Sequence, residues 1–203
     1  MPKVVLVTGG ARRLGREIAL GCARAGWDVA VHYHRSRSKA EATAAEIRAL
    51  GRRSVVIRGN LRKVTDCRRV VRQAKLRLGR LDALINSAAD FYPTPLPTVS
   101  ERDWDAHLDL NLKGSFFCAQ EAAKVIRQGA IVQITDATTR WRKYVAYGIS
   151  KAGTRAMVEI LQRELAPRIR VSAVAPGHVS LDGEEGTPPS QVVRAVLRRL
   201  GRN

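Results

Sequence analysis

The stretch VVLVTGGARRLG, residues 4–15, decides the fold. Its first half, Val4 to Thr8, is apolar and β-branched with no polar alternation, as in a strand covered on both faces. Its second half turns at Gly9 and Gly10 and runs into the helical pattern Leu14–Ala25. A strand that turns directly into a helix aims free helix N–H groups at whatever lies above the turn, a setting made for phosphates. Gly9 permits the tight turn, and Gly15 lets the helix pack closely on the strand. A G-x-G-x-x-G reading fails here because Arg13 intervenes. An arginine does not take a glycine-only conformation cheaply, but it adds a cation beside the phosphates.

The same alternation continues along the chain. Strands are expected at Val4–Thr8, Val29–His32, Ser54–Arg58, Leu81–Ile85, Ala130–Thr135 and Arg170–Ala175. Helices are expected at Leu14–Ala25, Ser38–Leu50, Thr65–Leu78, Trp104–Arg127, Ala146–Leu165 and Ser190–Leu200. Strand–helix alternation implies right-handed crossovers and a parallel sheet with helices on both faces. At 203 residues the chain reads as one domain, 1–203, of the α/β class. Ligands of such sheets bind at the carboxyl ends of the strands.

Composition narrows the partners. Apolar residues make up 45% and no apolar run approaches membrane-spanning length, so no membrane is expected. Met1-Pro2-Lys3 leads straight into the first strand, without a signal peptide. Cys22, Cys67 and Cys118 are far apart and fit neither a disulfide framework nor a metal site, which points to a reducing cytoplasm. The formal charge is +18, but its arginines are scattered, as at Arg24, Arg52, Arg68 and Arg198. A nucleic-acid binder concentrates charge on one face, so no nucleic acid is expected. A general attraction for anionic ligands is.

The second strand runs into HYHRSRS, residues 32–38, with no acid before Glu41. An acid there would bond the ribose hydroxyls of NAD. His34, Arg35 and Ser36 instead suit a 2′-phosphate, since a guanidinium forks onto such a dianion. NADPH is therefore the expected cofactor. After the third strand, Asn60 and Leu61 fall where an adenine ring would rest. Tyr147 and Lys151, in YGISK, lie on one helix face. There Lys151 can bond the nicotinamide ribose and lower the Tyr147 pKa, so that Tyr147 delivers a proton near neutral pH. Asn111 lies upstream, Asp136 just past the fifth strand, and VAPG, residues 174–177, after the sixth. The fourth strand leads into NSAADFYPTPLPT, residues 86–98, where Pro93, Pro95 and Pro97 stiffen a loop carrying Phe91 and Tyr92.

Taken in order over residues 3–200, these motifs resemble the short-chain dehydrogenase/reductase family, and within it the pteridine reductases and dihydromonapterin reductases. TGGARRLG, HYHRS, NSAADFYPTPL and an aspartate, Asp136, in place of the usual catalytic serine carry the resemblance. It implies a Rossmann-type sheet of order 3-2-1-4-5-6. It implies a tetrad of Asn111, Asp136, Tyr147 and Lys151, with Asn111 holding a water, Tyr147 donating the proton and Asp136 assisting. Cofactor contacts are implied at Gly9, Arg13, Leu14, Gly15, His34, Arg35, Ser36, Asn60, Leu61, Asn86, Lys151, Pro176 and Gly177. Substrate contacts are implied at Arg13, Phe91, Asp136 and Tyr147, with Phe91 sandwiching a pterin against the nicotinamide.

The activity implied is NADPH-dependent reduction of a dihydropterin to a tetrahydropterin by a homo-oligomer. The alternatives are another short-chain reduction, such as that of a 3-oxoacyl carrier-protein thioester, or cofactor or partner binding without turnover. Ala89 replaces a hydroxyl residue often found near the cofactor. The spacing from Asp136 to Tyr147 is shorter than the family's, which could displace Asp136 and bring the TTRWRKY stretch to the pocket. Relative to the family a seventh strand is expected to be missing, leaving the sixth as a sheet edge.

Overall fold

A computed structural model describes residues 2–137, 142–180 and 185–201. Six strands form one parallel sheet in the order β3-β2-β1-β4-β5-β6. They are β1 (Val4–Thr8), β2 (Asp28–Tyr33), β3 (Ser54–Arg58), β4 (Ala83–Asn86), β5 (Gly129–Ile134) and β6 (Ile169–Val174). The helices are α1 (Arg13–Arg24), α2 (Arg37–Ala49), α3 (Val64–Leu78), α4 (Glu101–His107), α5 (Ser115–Val125), α6 (Val145–Leu165) and α7 (Pro189–Leu200). Of the stretch TTRWRKY, residues 138–141 lie outside the described residues.

The all-apolar strands make sense once both faces are covered. Successive strand residues point to opposite faces. Val5 and Val7 of β1 join Ile18, Val31, Val132, Val192 and Val196 in one core. Val4 and Leu6 join Val70, Leu84, Ile131 and Ile169 in the other. The register runs from Leu6 opposite Ala30 to Leu6 opposite Leu84, and from Ile131 opposite Val171. α7 packs on the sheet face beside α1, with Val192, Val196 and Leu200 buried. Among the described residues β6 pairs only with β5.

One expected element differs. Trp104–Arg127 reads as a single helix but divides into α4, a π-helical stretch at Leu108–Gly114, and α5. Ser100 caps α4, its Oγ accepting from the Asp103 N–H at 3.1 Å. Gly114 sits so close to the loop after β3 that a Cβ there would lie 2.5 Å from the Leu61 carbonyl oxygen. The widened turns carry Asn111, and single π-turns of this kind gather at functional sites.

Candidate active site

The carboxyl ends of the strands surround a cleft of about 1300 Å³. The turn after β1 forms one wall. Gly9 has φ of +66°, and a Cβ on it would approach the Ala88 Cα to 3.0 Å. A Cβ on Gly15 would stand 2.2 Å from the Gly9 carbonyl oxygen, so only glycine lets α1 start this close to β1. Arg13 has φ of +53° and adopts the left-handed conformation that the sequence reading held to be costly for it. For a non-glycine residue that costs about 1–2 kcal/mol. Arg13, Leu14 and Gly15 all line the cleft. No side chain caps the first turn of α1, so its N–H groups remain available to an anion.

His34, Arg35 and Ser36 line the cleft at the end of β2, and Asn60 and Leu61 line it after β3. Burial, and then the charges of Arg35, Arg62 and Arg58, lower the pKa of His34. This is the cationic cluster a phosphate dianion would neutralise. Arg62 forms an ion pair with Asp90, which joins the loops after β3 and β4. His32 lies beneath. Its Nδ1 accepts from the Gly9 N–H at 3.0 Å, and its Nε2 faces the Gly59 carbonyl oxygen at 3.1 Å. Those partners admit one neutral tautomer, with the proton on Nε2.

That clamp has a consequence for acid stability. Burial lowers the His32 pKa to about 4, with the Gly59 carbonyl and Asp66 opposing and His34 and Arg69 reinforcing the shift. The unfolded chain takes up the proton near pH 6.5. The contribution of His32 is therefore whole above pH 6.5 and is lost as pH falls towards 4, a loss of about 3 kcal/mol. Urea unfolding of the wild type should weaken by that much more than unfolding of His32→Gln between pH 7 and pH 4. Parallel pH profiles would show that His32 is not held neutral.

The other wall carries Asp136, Tyr147 and Lys151, all buried and all facing the cleft. The Tyr147 hydroxyl donates to Asp136 Oδ2 at 2.6 Å. The short spacing between the two residues does not displace Asp136. Lys151 Nζ donates to the Ile134 carbonyl oxygen at 2.8 Å and stands 5.6 Å from the Tyr147 ring centroid. The expectation that Lys151 lowers the Tyr147 pKa needs correction. Burial first, and then the hydrogen bond and charge of Asp136, raise it. Burial lowers Lys151 itself to about 8, against the pull of Asp136. Tyr147 is thus held as a phenol, the form that gives a proton.

Asn86 and Asn111 are not in the cleft lining. The Asn86 amide donates to the Ser115 carbonyl at 3.0 Å and ties β4 to α5. The Asn111 side chain grips the Asp90 backbone at both its N–H (2.8 Å) and its C=O (3.1 Å). It also donates to Ser150 Oγ at 3.0 Å. Pro176, Gly177 and Ala89 line the cleft.

Phe91 is 49% exposed and also lines it. Its ring stacks on Tyr144 at 4.5 Å and meets Tyr147 edge-on at 4.7 Å. Tyr92 turns towards α4, where its ring meets His107 at a tilt, with centroids 4.2 Å apart, and its hydroxyl donates to Asp103. Tyr144, Arg62, Asp90 and His32 were not singled out from sequence. Each is defined by a partner many residues away, and the only local signal was the aromatic preceding α6.

The family model described as short chain dehydrogenase matches residues 3–189. A 3-oxoacyl-[acyl-carrier-protein] reductase of Staphylococcus epidermidis is 38% identical over 188 residues, 90% of this chain and 77% of that protein. One of Synechocystis is 31% identical over 206 residues, 98% of this chain and 83% of the other. A solved short chain dehydrogenase from Burkholderia cenocepacia, in complex with NADP, superposes with a TM-score of 0.91 at 30% identity, covering 96% of this chain and 88% of its own.

Proposed function

The chain belongs to the short chain dehydrogenase family, and from that premise we propose that it is an NADPH-dependent reductase in which Tyr147 donates the proton. One observation carries the reading. The Tyr147 phenol, held protonated by burial and Asp136, faces the same cleft as a glycine turn with an uncapped helix start. The turn leaves no room for a Cβ at Gly15, and a pyrophosphate placed above it would meet the N–H groups of α1 and the Arg13 guanidinium. NADPH supplies the hydride when bound. Arg35, Ser36 and His34 would hold its 2′-phosphate, and Asn60 and Leu61 its adenine. Lys151 keeps an ammonium beside the Tyr147 ring, where it favours negative charge on the substrate oxygen or nitrogen that takes up the proton. Among the described residues no cluster of His, Cys, Asp or Glu could hold a metal. No helix among the described residues is long and apolar enough to cross a membrane.

For the substrate, the names of the relatives favour a 3-oxoacyl thioester, whose ketone Tyr147 would protonate. One observation favours a second reading, reduction of a dihydropterin C=N bond. The Asp136 carboxylate at the Tyr147 hydroxyl opposes a developing alkoxide but suits the amino-bearing edge of a pterin. Phe91 offers a flat exposed face at the same place. A homo-oligomer belongs to this reading, since α5 and α6 expose Phe116, Ile149 and Ile160. The test is NADPH oxidation by the purified chain with acetoacetyl-CoA and with dihydrobiopterin. Consumption with neither would leave a cofactor-binding protein without this activity.

Cofactor choice is tested separately. Arg35→Ala should weaken NADPH binding by about 1.5–3 kcal/mol, the worth of a hydrogen bond to a charged group, and leave NADH binding unchanged. Equal affinity of the wild type for the two cofactors would contradict the assignment.

A further inference from the structure

We infer that Thr94 is a positioning residue: it clamps the loop that carries Phe91 onto the first turn of the helix that carries Tyr147. The inference rests on Tyr147 being the proton donor. Thr94 is buried although it lies in a loop, between Pro93 and Pro95. It forms an isolated parallel bridge with Tyr144.

Three bonds make the clamp. The Thr94 N–H donates to the Lys143 carbonyl oxygen, and the Thr94 carbonyl accepts from the Val145 N–H at 3.3 Å. The Thr94 Oγ1 accepts from the Ala146 N–H at 3.1 Å. The first N–H groups of a helix have no partner within it and need one from elsewhere. The N-cap residue of α6, Tyr144, makes no side-chain cap of its own. Thr94 supplies the cap from 52 residues upstream in sequence, to the position just before Tyr147. Lys143 has φ of +67°, a strained left-handed conformation, and in it its carbonyl meets the Thr94 N–H. Strain of this sort persists only where surrounding bonds hold it.

The other end of the loop is also anchored. The Asn111 amide holds both polar groups of the Asp90 backbone and donates to Ser150 on α6. Phe91 therefore stands between two attachments to the same region of α6. The prolines on either side of Thr94 restrict its neighbours' φ, so little slack separates the clamp from the ring. The outcome is the contact of Phe91 with both Tyr144 and Tyr147. Substrate would enter beside Phe91, and the Tyr147 hydroxyl must meet it at a fixed height.

Thr94→Val keeps the shape and removes the acceptor; Thr94→Ser keeps the acceptor and removes the methyl. Hydrogen exchange at the Ala146 and Tyr147 amides, NADPH affinity and NADPH oxidation with acetoacetyl-CoA and dihydrobiopterin are measured on both. In Thr94→Val the two amides should exchange about tenfold faster, the scale of a lost cap. Its kcat should fall by a similar factor, with NADPH affinity within about twofold of wild type. Thr94→Ser should restore both properties. Faster exchange with kcat within about twofold of wild type would mean a merely structural cap and would overturn the inference. So would a Thr94→Ser variant as slow as Thr94→Val, or, if Thr94→Val does not fold, a Thr94→Ser variant that has lost activity. If the wild type consumes neither probe, the functional reading fails on its own. The clamp is then judged by exchange at the Ala146 amide, and unchanged exchange in Thr94→Val overturns it.

Discussion

Tyr147→Phe is expected to lower kcat by about 10³-fold, within the range for loss of a general acid, and to leave the NADPH dissociation constant within about twofold of wild type. Phenylalanine keeps the ring that meets Phe91 edge-on and lies beneath Lys151. It removes the hydroxyl and its bond to Asp136. The fold should survive, because the ring is buried at the start of α6 with its packing intact. The turn after β1 and the arginines near β2 are on the opposite wall. A variant retaining more than about a tenth of the wild-type rate would mean that the proton comes from another group.

Asp136→Ser should change the rate by about 100-fold, and the sign of the change identifies the substrate. Asp136 raises the Tyr147 pKa by its hydrogen bond and charge. Removing it lowers that pKa, so activity that needs the phenol is lost at a lower pH than in the wild type. At neutral pH the phenol remains protonated in both. A ketone reduced to an alkoxide gains from losing the neighbouring negative charge, so acetoacetyl-CoA reduction should rise. A dihydropterin loses the carboxylate that bonds its amino-bearing edge, so its reduction should fall. Rates unchanged with both substrates would leave Asp136 outside the chemistry.

Much of the scaffold was legible because it depends on local periodicity. β1 and β3 fall at the expected residues, the other strands and most helices shift by a residue or two, and the helix expected from Trp104 begins at Glu101. The glycine turn announced the cleft because a Cβ at Gly15 cannot fit against the Gly9 carbonyl. The i,i+4 spacing brought Tyr147 and Lys151 to one face for the same local reason. What stayed hidden was set by distant partners. The tautomer of His32 is imposed by Gly9 and Gly59, which lie on two other segments. The break of the long helix at Leu108–Gly114 follows from close approach to Leu61 and from the grip of Asn111 on Asp90. The direction of the Tyr147 shift follows first from its burial and then from Asp136, and not Lys151, bonding the hydroxyl. Sequence spacing placed both nearby without ranking them, and Lys151 spends its bond on Ile134. Arg13 was identified as an outlier in the phosphate turn, but only the backbone showed that it takes the left-handed conformation.

The substrate was the least legible feature. The names of the relatives rest on similarity along the whole chain, whereas the aspartate and the Phe91 loop that motivated a pterin reading occupy a few positions. Both sets of observations agree on what the cleft does to a hydride acceptor and differ on which acceptor it is.

The most direct test is single-turnover transfer from NADPH deuterated at the nicotinamide C4, run with acetoacetyl-CoA and with dihydrobiopterin. The account predicts that deuterium appears on the reduced carbon of one product, with a primary isotope effect, and that Tyr147→Phe abolishes the transfer while still binding NADPH. Tight NADPH binding with no label transferred to either product would contradict it.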